Sequence, residues 1–439
     1  MSDLTHLKIY PYIIFISTLI AICHMSVNRV SADVFGRFDI GSYSFFPDDE
    51  SFDNRTSIAV KLKYQWSEST NHNWSFLSDI KLRGEPGGEK GEHLQIVDFR
   101  LNYGMGVKPI GSSIGISRIT DIAGIGSIAG IYLRTNFHDT YYFGLAGGAN
   151  PRILKGITDF DGSKYCLYGK YKRKNHDIGI AYIMIDDTDL ARDETDRIIF
   201  ETHHEFKDSF FVNQNGEVVL DSGANDSRSL LRFYYGSMQW DLNEQLKISL
   251  IYEHNDTEPY LTWNPEDGTY LTGFDAETRL RDDSFKSNSV SPRIEYRFNA
   301  TWRGFIRYRY RSQDFREKIS QHQTMGGFSC ANLFNSGISC FGMVIITQSD
   351  RKNYKSGFFT LSKSIGSMLT LTLNYSADRF RYPESFFDAP YMDTTHRFGV
   401  SAFYRFTKSI TGILEYERTL GSDDQDRDHR MFVNFQYRF

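Results

Sequence analysis

The chain has 439 residues, a formal net charge of −5 and 15% aromatic residues, with a mean hydropathy of −0.44. Beyond its first few tens of residues no stretch approaches the roughly 20 apolar residues that a spanning helix needs, which excludes a helical membrane protein, and no basic patch marks a nucleic-acid binder. Barrel strands put apolar side chains at every second position only, so a membrane barrel remains compatible with this polar average.

Residues 12–23 read YIIFISTLIAIC, an apolar core preceded by Lys8 and followed by a polar stretch that ends Val30-Ser31-Ala32. This pattern predicts a secretory signal peptide over 1–32. Its core is too short for a retained span, and Ile22 ahead of Cys23 does not suit lipid attachment at that cysteine.

From Val34 onward one unit repeats: a run of about 9 to 13 alternating residues, then a polar break. In 57–66, Ile58, Val60, Leu62, Tyr64 and Trp66 share one face, and Ser57, Lys61, Lys63 and Gln65 share the other. Soluble sandwich strands run about 5 to 6 residues. These runs match the roughly 9 to 11 residues that cross a bilayer at a tilt. Aromatic residues gather at the ends of apolar faces, as in Tyr308 and Tyr310, in the manner of interfacial girdles.

The breaks alternate in length. Short ones fall at 175–176, 207–208, 299–301 and 408–409, and long ones at 50–54, 84–92, 150–162, 256–287, 314–353 and 381–394. Outer-membrane barrels place short turns in the periplasm and long loops outside. The expectation is therefore an all-β, single transmembrane antiparallel up-and-down β-barrel over 33–439. It has roughly 18 to 20 strands, both termini in the periplasm, and long extracellular loops at about 256–287 and 314–353. The pattern is least regular over 112–136 and 195–221. Within the first, Asp121-Ile122-Ala123-Gly124-Ile125-Gly126-Ser127 reads either as an inward loop narrowing a pore or as a strand with glycines at close approaches.

Cys166 stands alone, while Cys330 and Cys340 lie close together in a Gly- and Ser-containing stretch read as loop. In an oxidising compartment this pair is a disulfide candidate, the alternative being two free thiols.

Between 291 and 312, arginines alternate with apolar residues. A charge on the lipid face near the midplane costs about 2 to 4 kcal/mol, so Arg293, Arg297, Arg303, Arg307, Arg309 and Arg311 are expected to line the lumen. A row of guanidinium groups in a narrow aqueous pore concentrates anions. The competing reading pairs them with acidic lumen residues such as Asp79, Asp98, Glu253 and Glu295, as wall scaffolding. Lys61, Lys63, Lys81, Arg83, Arg100, Lys170, Lys172, Arg405, Arg430 and Arg438 fall on the same type of position. Acidic runs such as Asp48-Asp49-Glu50 and Asp423-Asp424 read as solvated loops, with divalent-cation binding as the rival. His203 and His204, beside Glu201 and Glu205, point to opposite faces of a strand and make no catalytic pair. No enzyme, cofactor or metal is expected.

In the last run Met431, Val433, Phe435, Tyr437 and Phe439 share one face and Arg430, Phe432, Asn434, Gln436 and Arg438 the other. This ending resembles the Gram-negative outer-membrane porin class, without pointing to a substrate-specific family. The resemblance implies that Tyr437 and Phe439 form the signal read by the barrel-assembly machinery. It implies a bacterial outer membrane with its lipid and lipopolysaccharide, passive diffusion of small hydrophilic solutes, here with an anionic bias, and the homotrimers common in that class. No plug domain like that of TonB-dependent receptors is expected ahead of the first strand. The rival from another class is a nonconducting structural or adhesive barrel that binds a partner through its loops.

Overall fold

The structure is a computed structural model that describes residues 32–439 apart from 48–52, 67–73, 85–92, 106–107, 155–156, 161, 187–193, 208, 221–230, 258–262, 265–268, 271–284, 316, 351–352, 382–391, 422–426 and 439. Each alternating run becomes a strand. In chain order they are β1 (Ala32–Pro47), β2 (Asp53–Trp66), β3 (Trp74–Gly84), β4 (His93–Tyr103), β5 (Ile110–Ile119), β6 (Gly126–Phe137) and β7 (Tyr141–Ala149). A short hairpin, β8 (Arg152–Leu154) and β9 (Ile157–Asp159), precedes β10 (Ser163–Arg173), β11 (His176–Asp186), β12 (Glu194–Phe206), β13 (Phe210–Val219), β14 (Leu231–Asp241) and β15 (Leu246–Thr257). A second short pair, β16 (Trp263–Asn264) and β17 (Thr269–Tyr270), leads into β18 (Phe285–Arg297), β19 (Trp302–Phe315), β20 (Glu317–Leu333), β21 (Ile338–Ser349) and β22 (Asn353–Ile365). The chain finishes with β23 (Leu369–Arg381), β24 (Met392–Arg405), β25 (Ile410–Leu420) and β26 (Arg427–Arg438).

All but the two short pairs join one antiparallel sheet of 22 strands. Its first and last members also pair, from Arg37 opposite Arg438 to Pro47 opposite Asp428. That pairing closes the sheet. In lipid no water is available to satisfy a free strand edge, and closure removes the edge altogether. Large apolar side chains such as Ile131, Leu145, Leu167, Ile180, Leu250, Ile294, Ile306, Val344, Leu373 and Val400 stand exposed on the outer face. Exposed Phe137, Tyr141, Trp240, Tyr296, Phe298, Tyr404, Phe406 and Tyr437 ring one end, where the short turns and both ends of the sheet lie. An apolar band bounded by aromatics is the surface of a protein solvated by a bilayer.

The strand number exceeds the 18 to 20 expected from the sequence, and the reason is local. The loop expected at 314–353 is two strands: β20 pairs with β19 from Trp302–Cys330 to Phe315–Glu317, and with β21 from Gln321–Ser349 onward. Its lumen face carries Gln321, Gln323, Gly327 and Ser329 and its outer face Thr324 and Gly326, so the contrast between faces is too low to read as alternation. Two hydrogen-bonded neighbours impose strand geometry where side-chain pattern does not. At the other expected loop, β15 continues to Thr257 and β18 begins at Phe285, while most of the connection lies outside the described residues. The irregular stretches 112–136 and 195–221 supply β5, β6, β12 and β13. The expected leader over 1–32 falls outside the described residues except for Ala32.

Candidate functional site

With the apolar side chains outside, the alternate positions line the lumen, and two features stand out there. The first is an arginine wall on β18 and β19. Ile294, Tyr296, Ile306 and Tyr308 are exposed on the outer face, so Arg293, Arg297, Arg303, Arg307, Arg309 and Arg311 take the alternate positions. The register sets Arg293 directly opposite Arg307 and Arg297 directly opposite Arg303. Beneath these long side chains β18 offers only Ser287, Ser289 and Ser291, all buried.

The guanidinium groups reach partners of unequal kind. Arg309 Nη2 contacts Glu253 Oε2 at 2.6 Å and donates to Ser289 Oγ at 3.3 Å. The Ser289 hydroxyl in turn donates to the same carboxylate oxygen at 2.8 Å. Arg293 Nη2 pairs with Glu295 at 2.7 Å, and its guanidinium lies 4.5 Å from the Phe305 ring centroid, within cation–π range. Arg307 donates from Nε to Ser291 Oγ at 2.5 Å, a neutral partner. With the Gln313 amide turned so that its oxygen faces the guanidinium, Arg311 donates to it at 3.0 Å, and Arg297 donates to the Asn299 carbonyl at 3.2 Å. At the periplasmic mouth a cleft is lined by Asp241, Lys247, Glu295, Arg297 and Arg303. Scaffolding pairs therefore exist, Arg309 with Glu253 and Arg293 with Glu295, yet the ladder also sets arginine against arginine at two positions, Arg293 with Arg307 and Arg297 with Arg303.

The second feature is the glycine-containing segment between β5 and β6, which turns into the lumen. Gly124 and Gly126 adopt φ of +94° and +77°, a region open to glycine at no steric cost. The turn drives Ile122 and Ile125 to full burial against Tyr132, Cys166, Tyr168, Ala181, Ile183 and Ile199. Two glycines on the wall make the seat. A Cβ at Gly179 would stand 3.1 Å from Ile122, and one at Gly144 would overlap the Tyr168 ring at 2.0 Å. Fully burying each isoleucine contributes about 1.5 to 3 kcal/mol.

Polar groups then pin the segment. Asp121 accepts from the Tyr132 hydroxyl and from the Tyr168 hydroxyl at 2.5 Å, with Arg134 Nη1 at 3.5 Å. Lys170 donates to the Asp121 carbonyl at 2.9 Å and pairs with Glu201 at 2.7 Å. The other Glu201 oxygen accepts from the Ala123 N–H at 2.8 Å. Lys164, buried on β10, caps the Ile125 carbonyl at 2.5 Å. Of the two sequence readings of 121–127, the inward loop is the one adopted. Its anchors come from β6, β10 and β12, so no local pattern could have named them.

The remaining expectations resolve as follows. Lys170 and Arg100 project inward, Arg100 beside Asp98 at 3.3 Å, and Arg430 lies 3.8 Å from both Glu417 and Asp428. His203 meets Asn213 on the lumen face, while His204 meets His176 at 3.0 Å on the outer one. Cys330 and Cys340 are buried free thiols, directly opposite each other on β20 and β21. They sit in strand, where the sequence reading had placed loop. Tyr437 is exposed on the outer face, and Phe439 lies outside the described residues.

A closed antiparallel sheet, apolar outside and polar within, defines an outer-membrane β-barrel. No protein family and no curated protein sequence matches the chain. Among solved structures, the siderophore receptor PirA from Pseudomonas aeruginosa is similar with a TM-score of 0.51 at 12% identity, over 94% of this chain and 81% of that one. The OpdQ protein of the same organism has a TM-score of 0.46 at 6% identity, over 93% and 99%. OccAB4 from Acinetobacter baumannii has 0.44 at 9%, over 94% and 100%. At 12% identity the likeness to PirA is one of fold alone.

Proposed function

We propose that this barrel is a channel for passive diffusion of small hydrophilic solutes across the bacterial outer membrane, with a preference for anions. The observation that carries the reading is the facing of arginine by arginine in the lumen wall. Like charges directly opposite one another destabilise a sheet, and here Arg293 faces Arg307 and Arg297 faces Arg303. Scaffolding alone would place carboxylates at those positions. In an aqueous lumen with low-dielectric walls such a patch raises local anion concentration. No cofactor is required, since the solute's own gradient drives the flux. Tyr437 and the terminal Phe439 are assigned to recognition by the barrel-assembly machinery, a part of the reading that rests on the resemblance of the last strand.

One observation favours the rival, a nonconducting structural or adhesive barrel: the segment 120–125 occupies lumen space. Planar-bilayer recording separates the two. The channel reading expects discrete conductance steps and, under a salt gradient, a reversal potential of the sign set by anion flow. Silent membranes containing verified, folded protein would retire it, and a cation-selective current would retire the anion preference.

A further inference from the structure

The outer face near the extracellular end carries a motif that the lumen reading does not use. On three extracellular hairpins a tyrosine of the rising strand meets a histidine of the descending one. Tyr308 OH lies 2.7 Å from His322 Nδ1, Tyr375 OH 3.0 Å from His396 Nδ1, and Tyr416 OH 2.7 Å from His429 Nδ1. The register is the same each time: His322 faces Tyr310, His396 faces Ala377 and His429 faces Arg418, each two residues above its tyrosine. A phenol is the better donor of the two groups, so Nδ1 accepts and the ring proton resides on Nε2.

Charge lies level with this ring, at Arg418 opposite His429, and above it. Reading β23 upward on the outer face gives Leu371, Leu373, Tyr375, then Arg379 and Arg381, and β25 gives Leu414, Tyr416, then Arg418. Exposed Lys318 stands above His322 on β20, and exposed Lys355 lies directly opposite Arg379. Among the described residues two carboxylates share this arc: Asp314, opposite Lys318 in the ladder, and Asp350, which accepts the Ser320 N–H at 2.8 Å. On the far arc the outer face carries Asp196, which accepts from Tyr182 at 2.7 Å.

Hydrocarbon, then amphipathic rings, then cations is the order in which a leaflet passes from acyl chain to anionic headgroup. We propose that the outer surface of β20 to β26 binds the phosphorylated headgroup of an outer-leaflet lipid. Lys355, Arg379 and Arg418 would meet the phosphate oxygens, and the histidine Nε2–H groups would donate to the glycosidic or acyl-ester oxygens below them. The occupant is a lipid, because the cations stand directly above an apolar band that only acyl chains can cover.

The test uses the full barrel in neutral detergent, titrated with diphosphoryl lipid A and with the same lipid stripped of both phosphates, and read by native mass spectrometry. The phosphorylated form is expected to bind about tenfold tighter, the scale of one or two cations at an anionic surface. The combined variant Lys355→Gln, Arg379→Gln, Arg418→Gln should abolish that difference while retaining the β-sheet circular dichroism and heat-resistant gel mobility of the parent. The combined variant His322→Gln, His396→Gln, His429→Gln should weaken both lipids alike. Equal binding of the two lipids by the parent protein, or a phosphate preference that survives in the folded Lys/Arg variant, would overturn the proposal. Competition by inorganic phosphate as effective as lipid A itself would overturn the assignment to a lipid.

Discussion

Arg307 faces Arg293 across the β18–β19 ladder, and its own hydrogen bond goes to the Ser291 hydroxyl at 2.5 Å. A guanidinium held on a neutral acceptor beside a second guanidinium keeps most of its field for the lumen. Replacing Arg307, Arg309 and Arg311 together with Gln should therefore act on ion preference. A unit charge about 4 Å from a passing ion is worth about 1 kcal/mol in water-like surroundings. The anion-over-cation permeability ratio is expected to fall about fivefold or more, measured as a reversal potential under a salt gradient. An unchanged ratio would make the wall scaffolding.

The carboxylate in the same wall gives a test of opposite sign. Glu253 accepts from Arg309 and from Ser289. Glu253→Gln removes a negative charge from the lumen and leaves the arginine with a weaker acceptor. Anion preference should rise, and stability should fall by about 1 to 3 kcal/mol for the lost charged hydrogen bond. Conductance and denaturant unfolding read the two effects separately. A drop in anion preference would mean that Glu253 shapes the pore rather than its field.

What the sequence disclosed follows a physical boundary. The faces of β18 and β19 were legible because Ile294 and Ile306 contrast so sharply with their arginine neighbours, and lipid tolerates no error of register there. β20 was not legible, since Thr324 and Gly326 on its outer face resemble Gln323 and Gly327 on its inner one, and only the pairing with β19 and β21 declares it a strand. The inward turn at 120–125 was legible as an alternative because glycine density marks it. Its anchors Tyr168, Lys170 and Glu201 were hidden, being 47 or more residues away along the chain from Asp121.

The same anchors make the inward segment removable. Asp121 and Glu201 hold its polar groups, and Ile122 and Ile125 hold its apolar ones. Ile122→Ala should cost about 2 to 5 kcal/mol of local packing, and Asp121→Asn weakens the contacts from Tyr132, Tyr168 and Arg134. The double variant is expected to fold as a barrel, since the pairing of all 22 strands is untouched. Its single-channel conductance should be larger, with more frequent transitions between levels. If the parent and the variant conduct identically, the segment does not limit the path. If the parent is silent and the variant conducts, the segment closes the lumen.

Cys330 and Cys340 supply a test that touches neither the pore nor its charge. The two are paired across β20 and β21 and are thiols in this structure. Directly opposed residues of an antiparallel ladder have Cα atoms about 4.5 to 5.5 Å apart, inside the roughly 4.4 to 6.8 Å range that a disulfide spans. Oxidation therefore asks for side-chain rotation and little backbone movement. Because both side chains are buried, a bulky alkylating reagent should react with them slowly in the folded barrel, whereas a small oxidant should join them. In protein isolated with thiols trapped at lysis, the expected result is a bridge, seen as an intact mass lower by two hydrogens and restored by reduction after unfolding. The closed loop is short, so its stabilisation should be small, near the lower end of the 2 to 4 kcal/mol typical of disulfides. Two fully alkylatable thiols in the unfolded, unreduced protein would instead show that this pair serves only as packing between β20 and β21.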